Sequence, residues 1–278
     1  VLARPLIKAG KLSSITGASF TMAFFSGVSA NSMLAEAFDQ ERLAKKELVL
    51  ANLFNSLPRF FLHLPTVFFL TVPLIEGAAL IYVGITFCAA LLQTFLVVLL
   101  GRFLLPGKPE DRSIAPAQSP DRVSWLQAGR KCWQRFRKRI RKILKFMVPA
   151  YILFFLLNRL DVFDRVEDFL AAKAWFLAWL PAKSLSIVIM HVTAEFSAGL
   201  AAASALLADE SLTYNEVVMA LLAGNVLAAP VRALRHQLPY YLGIFPSRLA
   251  LELIGVSQIA RIICIVTVGF IYYRLTFW

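Results

Sequence analysis

The 278-residue chain is 59% hydrophobic and only 17% charged, with a mean hydropathy of +0.68 and a formal net charge of +12. Soluble domains carry about a quarter charged and about 45–50% apolar residues, so one water-soluble core could not hide this much apolar surface. Three scattered cysteines, Cys88, Cys132 and Cys264, show no C-x-x-C spacing and argue against a disulfide framework or a zinc site.

In chain order, the first expected element is a small-residue segment from Ile15 to Phe38, interrupted near its middle by glycine. It is too polar and too broken for a plain span, and suits a re-entrant hairpin of two half-helices. A charged turn, Asp39 to Lys46, leads into a helix opened by Glu47 and interrupted at Pro58. Acidic residues suit a first helical turn, and proline inside a helix leaves a carbonyl without its donor. Residues Ala78 to Leu105 then form an apolar run free of charge before Arg102, longer than the roughly 20 residues a bilayer demands.

Between Lys108 and Lys145 lie twelve cations against Glu110, Asp111 and Asp121, so this stretch carries +9. Residues 106–124, rich in Pro and Ser, read as a linker. Residues 125–145 place Trp125, Cys132, Trp133, Phe136, Ile140, Ile143 and Leu144 at helical spacing, with Arg and Lys on the other face. Such a helix lies in a membrane interface with its cations toward anionic lipid headgroups. Aromatic residues on the apolar stripe speak against the rival reading, nucleic-acid binding. The positive-inside rule places residues 106–145 in the cytoplasm. A span at about Phe146–Leu160 follows, then a surface helix from Asp161 to Trp179 on the outer side.

The second half repeats the first. Ser184 to Ala208 is again a small-residue segment, the turn Asp209 to Glu216 carries no cation, and a helix opened by Glu216 is interrupted at Pro230. The paired landmarks keep their order: Asn52 with Asn225, Pro58 with Pro230, Arg59 with Arg232 and His63 with His236. Ser247 to Phe277 supplies the closing span. The contrast between a cationic first turn and a cation-free second turn places them on opposite sides. The expected fold is therefore an all-α polytopic membrane protein with two inverted-topology repeats, each holding a re-entrant hairpin and a Pro-broken helix, plus the basic interfacial amphipathic helix. Its parts are a first repeat at 1–105, a linker at 106–124, the interfacial helix at 125–145, and a second repeat with its leading span at 146–278. Paired interrupted segments in inverted halves point to a midplane substrate site, because irregular backbone at membrane depth is tolerated only within protein or beside a water-filled cavity.

These residues resemble the nucleoside-recognition, or Gate, family of bacterial membrane proteins. Ser26-Gly27-Val28-Ser29-Ala30-Asn31, Glu47 and Asn52 through Pro58 carry the likeness in the first half. Glu195 through Gly199, Glu216 and Gly224-Asn225 through Pro230 carry it in the second. The family includes the spore-maturation membrane proteins, has related segments in the membrane part of the ferrous-iron transporter, and is distantly similar to concentrative nucleoside transporters. The resemblance implies two hairpins and two broken helices around a central polar site in a bacterial inner membrane. It implies no particular substrate. No GTPase P-loop is present, so ferrous-iron transport of the large kind is not implied. By analogy between the halves, a basic helix and span like residues 125–160 are expected before residue 1.

Candidate substrate-binding residues are Ser26, Ser29, Asn31, Asn52, Asn55, Ser197 and Asn225. An amide both donates and accepts, so the asparagines either bind a solute or satisfy backbone groups freed at the breaks. The serines and Asn31 sit at the expected hairpin tips, where half-helix N–H groups meet polar ligands or small residues simply pack helices closely. Glu195, one turn after His191 in an apolar stretch, is the candidate for proton or cation coupling; its alternative is a structural ion pair with Arg232 or Arg59. His63, His191 and His236 are not spaced as one metal site, so no metal and no cofactor is expected. No nucleophile elbow, H-E-x-x-H or phosphate loop supports an enzyme. Two functions remain: a transporter or pore component for a small polar solute, with a nucleoside-like solute and proton or cation coupling as candidates, or a membrane scaffold that recruits lipid or a protein partner. A homodimer is expected in either case.

Overall fold

The computed structural model describes residues 3–106 and 177–278 without interruption, together with scattered positions between 130 and 165. The linker at 106–124 beyond its first residue and most of the basic helix at 125–145, of the expected span at 146–160 and of the surface helix at 161–179 lie outside the described residues.

Every regular element among the described residues is helical. The first are α1 (Arg4–Ala9), α2 (Ser14–Ala23), α3 (Gly27–Asp39), α4 (Lys45–Phe54), α5 (Ser56–Ile75) and α6 (Gly77–Leu104). After a short 3-10 turn at Ala182–Ser184 come α7 (Leu185–Thr193), α8 (Phe196–Ala208), α9 (Tyr214–Leu227) and α10 (Ala229–Arg232). A π-helical stretch, Ala233–Gln237, leads to α11 (Leu238–Ile244), and α12 (Ser247–Phe277) follows. Among the described residues, three helical stretches are long and apolar enough to cross a membrane: Lys45–Ile75, Gly77–Leu104 and Ser247–Phe277. Residues 214–227 and 229–244 form a fourth candidate, bent by 49° at its break.

The chain divides into two compact units. The first gathers residues 1–62, 93–150 and 236–257; the second gathers 63–92, 151–235 and 258–278. Each unit thus takes its hairpin and helix break from one half of the sequence and a further segment from the other half.

In the first unit α2 and α3 pack on each other, with α4 against both. Ser13 caps α2 by accepting from the Thr16 amide, and Ser26 caps α3 by accepting from the Ser29 amide at 3.2 Å. Glu47 stands in the first turn of α4, as expected, but its carboxylate serves another helix. Its Oε1 accepts from the Ser13 amide at 2.7 Å and the Thr16 hydroxyl at 2.9 Å. Phe20 lies on Phe54 at 4.4 Å between ring centroids, fixing α2 to the end of α4. Leu34, Leu48, Ala51 and Phe54 are fully buried among them.

The second unit pairs α7 with α8 and packs α9 on both. Here the acidic residue does cap its own helix. Thr213 and Glu216 form a reciprocal capping box, with Glu216 Oε2 accepting the Thr213 amide at 2.8 Å. Buried Val217, Val218, Ala220 and Leu221 seat the helix.

Two local expectations are corrected. The interruption in the second hairpin is not at a glycine: it falls at Ala194–Glu195, where Glu195 adopts φ 122° and ψ 175°. Gly199 instead lies inside α8, where a Cβ would stand 2.9 Å from His191 Cβ. The helix interruptions also precede the prolines. One helix ends at Phe54 and the other at Leu227; Pro58 and Pro230 then sit in the first turns of α5 and α10. An N–H in a first turn has no intrahelical acceptor, so its absence costs little there. Pro65 and Pro73 lie within α5.

Candidate functional site

In the first unit the last turn of α4 places Asn52 and Asn55 at the helix end. The Asn52 amide nitrogen donates to the Tyr241 hydroxyl at 3.0 Å, and that hydroxyl donates back to Asn52 Oδ1 at 3.0 Å. Arg59, one turn into α5, reaches backward over the break. Its Nη2 donates to the Asn52 carbonyl and to Asn52 Oδ1 at 3.2 Å, its Nε to the Asn55 carbonyl at 3.0 Å, and its Nη1 to the Tyr241 hydroxyl at 3.4 Å. At the Asn52 carbonyl the guanidinium replaces a donor that the interrupted helix does not supply, whereas the Asn55 carbonyl also accepts from the Arg59 backbone amide at 3.2 Å. Asn55 donates to the Ser19 hydroxyl at 2.8 Å, and that hydroxyl reaches the Ala30 carbonyl at 3.4 Å. Asn31 donates to the Tyr240 hydroxyl at 2.7 Å, which in turn donates to the Gly27 carbonyl at 2.9 Å.

The second unit repeats this arrangement. The Asn225 amide nitrogen donates to the Tyr82 hydroxyl at 2.8 Å. Arg232 Nη2 donates to the Asn225 carbonyl at 3.0 Å and to its side-chain oxygen at 2.9 Å. Arg261, from α12, adds a second donor to that side-chain oxygen at 3.2 Å. Tyr82 stacks on Phe196 at 5.6 Å, and the His191 ring lies 5.2 Å from Phe196 on its other contact. His191 is 2% exposed, and neither ring nitrogen has a hydrogen-bond partner. Gly224 lets it in, since a Cβ there would fall 2.7 Å from His191 Nδ1.

The candidate residues therefore separate by environment. Asn31, Asn52, Asn55 and Asn225 are buried and hydrogen-bonded, each at the end of a helix or beside one. Ser26 is a helix cap, and Ser29 and Ser197 are exposed. Glu195 pairs with Arg235 at 3.2 Å, not with Arg232 or Arg59, and its side chain is 51% exposed. The sequence placed it inside an apolar stretch; the left-handed kink turns it out of that stretch. His63 and His236 are exposed, and no group of three His, Cys, Asp or Glu fit for a metal occurs among the described residues.

Among the partners that escaped the sequence reading are Tyr82, Tyr241 and Arg261. None stands in a motif or at a repeat position, and each meets its asparagine across more than 30 residues. The one local hint is a single hydroxyl or cation in an otherwise apolar helix.

The chain is similar to three uncharacterized proteins of Methanocaldococcus jannaschii. The first is 26% identical over 257 residues, which cover 91% of this chain and 78% of the relative. The other two are 24% identical, over 252 and 231 residues, covering 89% and 80% of this chain and 77% and 72% of the relatives. No family model and no solved structure matches the chain.

Proposed function

We propose that this chain is an integral membrane protein of the cytoplasmic membrane that moves a small polar solute, using two inverted Gate-like repeats. In this reading the helix pairs α2–α3 and α7–α8 are re-entrant hairpins, and α4–α5 and α9–α11 are broken helices. The observation that carries it is the recurrence, in both units, of a buried asparagine and an arginine seven residues later, spanning a helix break and joined to a tyrosine from the other half of the sequence. Polar and charged side chains buried within long apolar helices are costly and mark ligand or ion pathways. Structural need alone would be met by an unbroken apolar helix.

Uptake into proteoliposomes tests this. The purified chain is reconstituted and offered labelled nucleosides, nucleobases and small carboxylates with and without a proton gradient. Accumulation above empty vesicles that falls in Asn52→Ala and Asn225→Ala supports transport. Glu195→Gln is expected to abolish gradient-driven uptake while leaving assembly intact. Unchanged uptake in the asparagine variants, or none in folded wild type, would count against the reading and favour a scaffold role.

A further inference from the structure

The two arginines that bridge the helix breaks differ in one respect. Arg59 uses Nε, Nη1 and Nη2, each on an oxygen of the first unit. Arg232 uses Nη2 only on Asn225, and its Nε is buried with no acceptor. Its acceptors are amide oxygens, which carry no net charge, and among the described residues no carboxylate pairs with it. Beside it, His191 is almost fully enclosed and both of its nitrogens lack partners. Arg232 and Arg261 both lie within Coulombic range of that ring. Arg261 brings a second guanidinium to the same asparagine oxygen.

Arg232 as a whole is half-buried, but an enclosed guanidinium nitrogen without a counter-charge, next to orphaned polar atoms, is a costly arrangement. A water molecule could satisfy one nitrogen but adds no charge. We infer that the second unit holds a binding site for an oxyanion, a carboxylate or phosphate group, gripped by Arg232 Nε with His191 donating beside it and Tyr82 and Phe196 forming an aromatic wall. Guanidinium forks match such groups in geometry and charge. This deepens the transport reading, on which its physiological role rests, by naming the substrate class; Arg59, with all three of its nitrogens engaged, is assigned to structure. The oxyanion belongs either to a free solute or to a lipid headgroup.

Isothermal titration of the detergent-purified full chain tests it, with sodium phosphate and sodium benzoate as probes and uridine as the neutral control. Saturable binding of either anion is expected, weakened at least about tenfold in Arg232→Gln and in His191→Phe. Lys183→Gln, at an exposed position, should bind as wild type. Circular dichroism and gel filtration establish that each variant is folded. Should Arg232→Gln fail to fold, Arg232→Lys keeps the charge without the fork and should still lose affinity. Repeating the titration in nanodiscs separates the sources. Competition by phosphatidylglycerol, absent in phosphatidylcholine discs, identifies a headgroup; equal binding in both identifies a free solute. No anion binding in any format, or undiminished binding in folded His191→Phe and the folded Arg232 variant, overturns the site. Phosphate binding without uptake of any solute would end the transport reading and leave the site standing. Uridine uptake without oxyanion binding would do the reverse.

Discussion

Arg232 and Asn225 are joined twice, through the asparagine's carbonyl at 3.0 Å and its side-chain oxygen at 2.9 Å, so one guanidinium nitrogen holds both ends of one residue. Arg59 holds Asn52 in the same way. The seven-residue interval in each case spans two helical turns, which brings the arginine side chain back along the same face.

Removing Arg59 strands several acceptors at once. Arg59→Gln is expected to destabilise by about 1–3 kcal/mol, visible as a lowered thermal midpoint in detergent. Tyr241→Phe, which removes one hydroxyl from the same network, should cost less. A double-mutant cycle should show coupling between them, because both act on Asn52. Strict additivity would mean that the network is not formed.

The two acidic first-turn residues should respond differently. Thr213→Ala removes an exposed capping box and should cost about 1 kcal/mol. Glu47→Ala removes an acceptor that ties two helices together, so it should cost more than the capping-box variant. Glu47→Gln, which keeps an oxygen in place, should recover part of the loss. Equal thermal shifts for Thr213→Ala and Glu47→Ala would show that the bond between helices adds nothing.

Gly224 is kept small by one neighbour. Gly224→Ala puts a methyl group 2.7 Å from His191 Nδ1, and overpacking of this kind costs about 1–3 kcal/mol. Combining it with His191→Ala removes the ring contacts and leaves only the Cβ contact at 2.9 Å, so part of the clash is relieved and the double variant should be more stable than the sum of the single losses predicts. Chemical denaturation of the four proteins measures this directly.

Glu195 has a backbone conformation that side chains rarely adopt, φ 122° with ψ 175°. Such geometry costs on the order of 1–3 kcal/mol for a residue with a Cβ. Glu195→Gly should therefore be more stable than Glu195→Ala, since both lose the Arg235 pair and glycine alone relieves the strain. An alanine variant as stable as the glycine one would remove strain as the explanation.

How far the sequence revealed this molecule depends on the distance between partners. The long apolar helix at Gly77–Leu104 was legible within one residue at each end, because length and hydropathy alone define it. Asn52 and Asn225 stood out through repetition, and the helices do stop beside them. Pro58 and Pro230 were legible as breaks, although each begins a new helical segment instead of cutting one. The carboxylate of Glu47 looked like a capping group for its own helix, but Ala44 offers no side chain with which to form a box. Tyr82, Tyr241 and Arg261 were illegible for a physical reason: a lone hydroxyl or cation in a helix acquires meaning only from a neighbour brought close by tertiary folding.

The exchange of segments between the two units has a consequence for biosynthesis. Asn52 emerges from the ribosome 189 residues before Tyr241, and Tyr82 emerges 143 residues before Asn225. Neither pairing can close while only its own half of the chain exists, and loops of that length close against an entropic cost. In the proposed membrane setting, the first helices to enter the bilayer would wait there with polar side chains unmatched, either shielded by the insertion machinery or bonded to temporary neighbours, until their distant tyrosine or asparagine arrives.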